Sequence, residues 1–127
     1  MAMITKYADK AKVKLWVDAL RSGDYEQAQG QLKDENRFCC LGVLCDISNL
    51  DDFSWEGDTF VDDNRMDSAI TELPTEVSKW LGIGNFNTNP DLIGKDGSTF
   101  SAAYLNDSAG YTFDEIADAV ERTFLND

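Results

Sequence analysis

The chain has 127 residues, of which 43% are hydrophobic and 28% charged, and this composition is typical of one folded domain spanning residues 1–127. It contains no histidine, and its 24 acidic against 11 basic residues give a net charge of −13. Without an imidazole, Ser-His and Cys-His nucleophile pairs and histidine-containing metal sites are excluded.

The charge balance also argues against two classes of partner. Non-specific binding of nucleic acid requires clustered Lys and Arg, so we expect no direct contact with nucleic acid. An anionic membrane surface would repel this chain, and no segment approaches 18 consecutive apolar residues, so we expect no membrane span. Three cysteines, an odd number, indicate free thiols in a reducing cytoplasm.

The first half of the chain predicts two helices, and the segment between them has no decisive period, with a turn or a close backbone approach indicated at Gly30. Over residues 8–21, apolar side chains recur at i, i+3, i+4 and i+7 and predict a buried stripe of Val13, Trp16, Val17 and Leu20. If residues 24–33 are extended, four side chains point to the same side of the chain, namely Tyr25, Gln27, Gln29 and Gln31. Residues 38–47 are almost wholly apolar and favour a buried helix, where Gly42 and small cysteines would let another segment pack closely.

The second half predicts short hairpins and two further helices. Residues 53–61 indicate a hairpin with a three-residue connection, and residues 92–100 indicate another. Pro74, as the first helical residue, opens a helix that ends at Gly82, and Thr112 with Glu115 forms a capping box for the last helix. The predicted fold class is therefore α+β, a small single domain of about three main helices with one or two short β-hairpins.

Three motifs follow one another along the chain. They are Trp16-x-x-x-Leu20-x-x-Gly23-x-Tyr25-x-Gln27, then Phe38-Cys-Cys-Leu-Gly-Val-Leu-Cys-Asp46, then Leu105-Asn-Asp107 before Thr112-Phe-Asp-Glu-Ile-Ala117. In this combination the chain resembles a widespread family of small proteins encoded by bacteriophages and prophages. The resemblance implies a phage setting and a location in the host cytoplasm, and it assigns no reaction.

The residue types available indicate neither catalysis nor a bound cofactor. Cys39, Cys40 and Cys45 lack the spacing and the fourth ligand of a structural zinc site, and Arg37 is the only nearby cation that could activate a thiol. We expect these thiols to be buried and inert. Residues 62–67 lack the ligand spacing of an EF-hand loop, and the chain has no Walker or dinucleotide-binding glycine motif. We therefore predict no catalytic residue, no metal site and no cofactor.

The preferred functional hypothesis is a phage counter-defence protein that sequesters a host nucleotide immune signal, such as a cyclic oligonucleotide, as a homo-oligomer. Binding would need local cations, while an aromatic ring could stack on a base and an amide could read its edge. The only concentration of cations consists of Lys10, Lys12, Lys14, Arg21, Lys33 and Arg37. Asn106 and Asp107 either form a turn and cap or bind the ligand beside residues 25–31. The candidate ligand-binding residues are Lys14, Arg21, Tyr25, Gln27, Gln29, Arg37, Trp55, Asn106 and Asp107.

The alternative hypothesis uses the negative charge itself. Residues 46–67 contain eight acids, opposed only by Arg65. Such a block is either a solvated loop or an anionic face that imitates nucleic acid and docks on a basic host protein. A hydrolase that uses Asp and Cys without His is the third hypothesis, and repeated turnover of a nucleotide would support it.

Overall fold

Residues 8–63, 68–84 and 87–125 are described by a computed structural model. In this part of the chain the helices are α1 (Lys10–Arg21), α2 (Cys40–Ser48), α3 (Thr75–Leu81), α4 (Ala102–Asp107) and α5 (Phe113–Val120), and α5 continues into a π-helical turn over Glu121–Leu125. The strands are β1 (Glu26–Gln27), β2 (Lys33–Asp34), β3 (Arg37–Phe38), β4 (Phe53–Glu56), β5 (Thr59–Asp62), β6 (Ser68–Ala69), β7 (Asp91–Ile93) and β8 (Thr99–Ser101). The fold is a small single-domain α+β fold, as predicted.

Helices α1 and α5 pack against each other and follow the predicted patterns. Asp9 caps α1 by accepting a hydrogen bond from the Lys12 N–H at 3.2 Å, and the four predicted apolar residues of α1 are buried. At α5 the Thr112 side chain accepts from the Glu115 N–H while the Glu115 carboxylate accepts from the Thr112 N–H. The predicted capping box is therefore confirmed.

Helix α2 lies in the centre of the core, and the preference for a helix over a strand is confirmed. The apolar residues from Cys40 to Cys45 are at most 1% exposed. A Cβ atom added at Gly42 would lie 1.8 Å from the Leu32 carbonyl oxygen, so the backbone of residue 32 crosses the helix at a distance that only glycine permits. The close approach predicted at this glycine is present.

The strands of the described part of the chain form three small sheets. The strand orders are β1-β3-β2, β4-β5-β6 and β7-β8, and all pairings are antiparallel except β1 with β3. Both predicted hairpins are present, as β4–β5 and β7–β8. The connection in the first has two residues, Gly57 and Asp58, so the predicted three-residue connection is wrong because Glu56 still pairs with Thr59.

Two other boundaries differ from the sequence prediction. Pro74 is the N-cap of α3 with an extended backbone, and its carbonyl accepts from the Val77 N–H at 3.0 Å, so it is not the first helical residue. The six-residue helix α4 was not predicted, because it is too short to show a period and begins directly after β8 at the Ser101 cap. Among the described residues no helix is long and apolar enough to cross a membrane.

Candidate functional site

The cysteine-rich motif forms the buried part of α2. Cys39 is the N-cap, and its Sγ accepts from the Gly42 N–H at 3.4 Å. All three thiols are free and buried, as predicted. Burial raises the pKa of the Cys39 thiol to about 11, and burial also raises the pKa of Cys40 and Cys45. A thiol in this environment is protonated at neutral pH and is a weak nucleophile.

Asn106 joins three parts of the chain inside the protein, where it is 0% exposed. Its Oδ1 accepts from Gln27 Nε2 at 2.9 Å and from the Cys40 N–H at 3.2 Å. Its Nδ2 donates to the Ala28 carbonyl at 2.7 Å and to Asp107 Oδ1 at 2.8 Å. Asn106 therefore lies beside Gln27, where the ligand hypothesis placed it, with both polar atoms of its amide engaged within the protein.

The three glutamine side chains of residues 25–31 do not point to the same side of the chain. Gln27 Nε2 donates also to the Tyr111 carbonyl at 2.8 Å, whereas Gln29 is exposed and Gln31 Nε2 donates to the Lys33 carbonyl at 2.6 Å. The chain turns here, with Gly30 at φ +88°, so the turn indicated at this glycine is present and residues 25–31 do not form one extended strip. Only the segment around β1 is extended.

Arg21 is held by two carboxylates of α5 and its π-helical extension. Its Nη2 donates to Glu121 Oε1 at 2.8 Å and to Asp118 Oδ1 at 2.5 Å. The hydrogen bond to Glu121 is the main cause that raises the pKa of Arg21, and the same bond lowers the pKa of Glu121. The guanidinium therefore fastens α1 to the end of α5.

The two other predicted cations have carboxylate partners as well. Lys14 Nζ lies 3.2 Å from Asp18 on α1, and Arg37 Nη2 lies 3.2 Å from Asp34 across the β2–β3 pair. The three cations among the candidate ligand-binding residues, Lys14, Arg21 and Arg37, are thus each matched by a neighbouring negative charge. A phosphate at these positions would compete with carboxylates already in place.

Four rings form an aromatic row that joins the sheet of β1–β3 to the β4–β5 hairpin. Its members are Tyr25, Phe38, Trp55 and Phe60, and their successive centroids are 5.1, 5.8 and 4.8 Å apart. The first two contacts are edge-to-face, which is a favourable arrangement for aromatic rings. Phe53 stacks on Phe60 at 5.1 Å and extends the packing. The row fixes the hairpin against the rest of the domain.

Asp46 receives hydrogen bonds from both polar atoms of the aromatic row. The Tyr25 hydroxyl donates to Oδ2 at 2.5 Å and Trp55 Nε1 donates to Oδ1 at 3.1 Å. A carboxylate in the last turn of a helix lies at the negative end of the helix dipole, and the two donors offset this repulsion. Burial of the phenol and its bond to Asp46 raise the pKa of Tyr25.

Lys33 is one of the six cations considered for phosphate contact, but it is not among the nine candidate ligand-binding residues. Its Nζ lies 5.9 Å from the Phe38 ring centroid and 5.8 Å from that of Trp55, and it donates to the Gly57 carbonyl at 3.3 Å. It belongs to the basic N-terminal third of the chain, which is the only sequence signal for it. The signal is insufficient because the position of Lys33 depends on the pairing of β2 with β3.

The acidic hairpin, which we define as residues 51–63, carries the described part of the acidic block beyond Asp46. The Asp63 N–H donates to the Asp52 carbonyl at 2.7 Å, so these two acids are neighbours at the open end of the hairpin. At the turn, Asp58 Oδ1 accepts from the Glu35 N–H at 3.0 Å. The carboxylates of the hairpin are Asp51, Asp52, Glu56, Asp58, Asp62 and Asp63, while two members of the predicted block lie outside the described residues, namely Arg65 and Asp67.

A cavity of about 400 Å³ at the end of α5 is lined by Asp118, Glu121, Arg122 and Leu125. None of these residues belongs to the aromatic row or to the acidic hairpin. Within the described ranges, no group of three or more Cys, Asp or Glu residues is arranged to hold a metal ion.

Residues 9–124 match the family described as Domain of unknown function (DUF8296). The chain belongs to this family. The match extends from the cap of α1 into the π-helical turn after α5, so it includes the aromatic row, Asn106 and the acidic hairpin. No curated protein and no solved structure matches the chain. The resemblance to phage proteins stays a prediction.

Proposed function

We propose that this protein acts by stoichiometric binding, and that its acidic hairpin docks on a basic surface of a host protein. The observation that supports the proposal is that exposed carboxylates stand together on a hairpin whose position is fixed by the aromatic row. Asp51, Asp52 and Asp63 are exposed at the open end of this hairpin. Charges held in place by a rigid scaffold lose little conformational entropy when a partner binds.

The chemistry of this surface suits a cationic protein partner. Complementary charge accelerates encounter and makes binding depend on salt. Phe53 and Trp55 are half-buried, so they can add apolar contact next to the charges. In the phage setting that the resemblance implies, the partner is a host protein that normally contacts an anion through the same basic surface.

Two triple variants with equal loss of charge test the proposal. The hairpin variant carries Asp51→Asn, Asp52→Asn and Asp63→Asn, and the control carries Asp91→Asn, Asp96→Asn and Asp114→Asn at exposed positions elsewhere. Each tagged protein is used to capture partners from bacterial host lysate over a salt series, with identification by mass spectrometry. We expect wild type and control to retain the same basic protein, and the hairpin variant to bind it at least about tenfold more weakly.

The two variants also separate specific docking from general attraction. If both lose binding equally, net charge and not the hairpin drives the capture, and the proposal is wrong. If the hairpin variant binds as wild type does, the proposal is wrong as well.

Sequestration of a cyclic oligonucleotide is the second candidate function, and the observation that favours it is the position of Lys33 over two aromatic rings. A nucleotide presents a phosphate and a base together, which suits a cation beside a stacking surface. We expect cyclic dinucleotides to raise the Tm of wild type but not of Lys33→Ala, since ligand at about 100 times its Kd stabilises the fold by about 2.7 kcal/mol. No rise with wild type at saturation would contradict this candidate. Native mass spectrometry of the purified protein tests the expected homo-oligomer.

A further inference from the structure

Strand β4 lies at the edge of its sheet, because the strand order is β4-β5-β6. The register opposes Ser54 to Val61 and Glu56 to Thr59. In an antiparallel pair, every second residue directs its N–H and C=O groups to the partner strand. A two-residue connection makes Glu56 and Thr59 such a pair, and Ser54 with Val61 is the next.

The residues between these pairs direct their main-chain groups away from β5. The Phe53 N–H donates to the Leu50 carbonyl at 3.1 Å, on the side away from β5, which agrees with this alternation. Two residues further on, Trp55 has the same orientation, so its N–H and C=O point to the open edge. No strand of the described part of the chain pairs with β4 on that side.

Another edge strand in the same protein is closed by side chains. The N–H of Ile93 in β7 donates to Thr123 Oγ1 at 2.8 Å, and the Ile93 carbonyl accepts from Arg122 Nε at 3.0 Å. Both outward groups of this residue are thereby satisfied. Proteins cover edge strands in such ways because an open edge pairs readily with another chain. Among the described residues, no hydrogen bond of this kind reaches the main-chain groups of Trp55.

We infer that β4 accepts an extended segment of the basic host partner as an added strand, an inference that rests on the proposed function and specifies its binding mode. The side chains of β4 alternate, with Phe53 and Trp55 on one face and the exposed residues Ser54 and Glu56 on the other. Asp51 and Asp52 precede the strand. The segment that fits beside it alternates apolar residues, which contact the rings, with Lys or Arg, which face the carboxylates.

Two synthetic peptides of equal charge test the inference on the whole protein. One is acetyl-Lys-Val-Lys-Val-Lys-Val-Lys-amide, and the other has proline in place of each valine, which removes N–H groups and prevents strand pairing. Titration calorimetry gives the affinities, and amide hydrogen exchange reports on the Trp55 N–H. We expect the valine peptide to bind at least about tenfold more tightly and to slow exchange at Trp55.

The outcomes distinguish this inference from the proposed function. If both peptides bind equally, and both are weakened by the hairpin triple variant, the acidic docking surface stands and strand addition is wrong. Tight binding of the valine peptide without protection of the Trp55 amide would also overturn strand addition. If neither peptide binds, both the docking surface and its binding mode are refuted.

Discussion

The substitution Gly42→Ala tests the central packing contact of the domain. In an exposed helix, replacing glycine by alanine stabilises the protein by about 1 kcal/mol, because alanine has the better helix propensity. Here the added methyl would lie 1.8 Å from the Leu32 carbonyl oxygen and 2.7 Å from its carbon. Both atoms belong to the backbone, so no side-chain rotation relieves the clash.

The loss of stability expected for Gly42→Ala depends on the hydrogen bonds that fix the backbone of Leu32. Its N–H donates to the Ile70 carbonyl at 2.6 Å, and its own carbonyl accepts from the Cys39 N–H at 3.0 Å. Overpacking costs about 1–3 kcal/mol and a buried unsatisfied group about 1–3 kcal/mol, while the gain in helix propensity returns about 1 kcal/mol. We expect the free energy of unfolding to fall by about 1–5 kcal/mol.

Urea unfolding followed by tryptophan fluorescence measures this loss, with linear extrapolation to water. Gly97→Ala is the control, because its Cβ would meet nothing within 4 Å and the change tests only the cost of a side chain at φ +88°. For the control we expect a loss of about 1 kcal/mol. If Gly42→Ala were as stable as wild type, or more stable, Leu32 would not cross the helix as described and the reasoning would be refuted.

Three further substitutions test the polar contacts. Asn106→Ala should lower the free energy of unfolding by about 3–5 kcal/mol in urea titrations, because it leaves buried donors and acceptors unpaired; a loss below about 1 kcal/mol would contradict this. The bond from Lys95 lowers the pKa of Glu115 in the folded protein. The bond therefore stabilises the fold fully above the unfolded-state pKa of about 4.3, and this contribution is lost as pH falls through the folded-state pKa. Glu115→Gln should therefore flatten the acid side of the stability profile, whereas an unchanged slope would argue against the bond. Tyr25→Phe should cost about 1 kcal/mol at neutral pH by removing the bond to Asp46. The raised pKa of Tyr25 means that its contribution to stability is lost as pH rises above the unfolded value of about 10. Tyr25→Phe should therefore lose less stability than wild type in this range. If the two proteins had the same alkaline profile, the bond from Tyr25 to Asp46 would be refuted.

The helices other than α4 could be predicted because local periodicity and capping determine them. The stripe of α1 and the capping box of α5 each depend on residues within one or two turns. The close approach at Gly42 was also visible, since a glycine within an apolar helical run indicates a neighbouring backbone. These features do not require knowledge of tertiary contacts.

The sheet of β1, β2 and β3 could not be predicted in the same way. Its strands have two residues each, which is too short for an alternating pattern, and β1 pairs with β3 in parallel. The aromatic row depends on this pairing, because Phe38 in β3 touches both Tyr25 and Trp55. Sequence reasoning therefore found two of its rings as candidate residues and missed the ring between them.

The distribution of charge along the sequence did not predict which charged side chains are neighbours in the folded protein. The basic residues of the N-terminal third suggested a phosphate site, yet Arg21 bonds Asp118 and Glu121, which are 97 and 100 residues away in sequence. A linear count of charge cannot include such partners. The acids of residues 51–63, by contrast, are close both in sequence and in space, because β4 and β5 pair in one hairpin.

The positions of the thiols and of Asp46 explain what the Cys-Cys-Leu-Gly-Val-Leu-Cys-Asp motif does in this fold. Cys40 and Cys45 are at most 1% exposed, and Cys39 caps the helix, so the sulfur atoms serve packing and helix initiation. The same helix ends by presenting the exposed Asp46 to Tyr25 and Trp55. The buried part of the motif thus sets the position of its last residue, and that carboxylate in turn orients the two rings beside the acidic hairpin. The surface at the aromatic row therefore depends on the buried helix α2, because α2 positions Asp46 and Asp46 orients Tyr25 and Trp55.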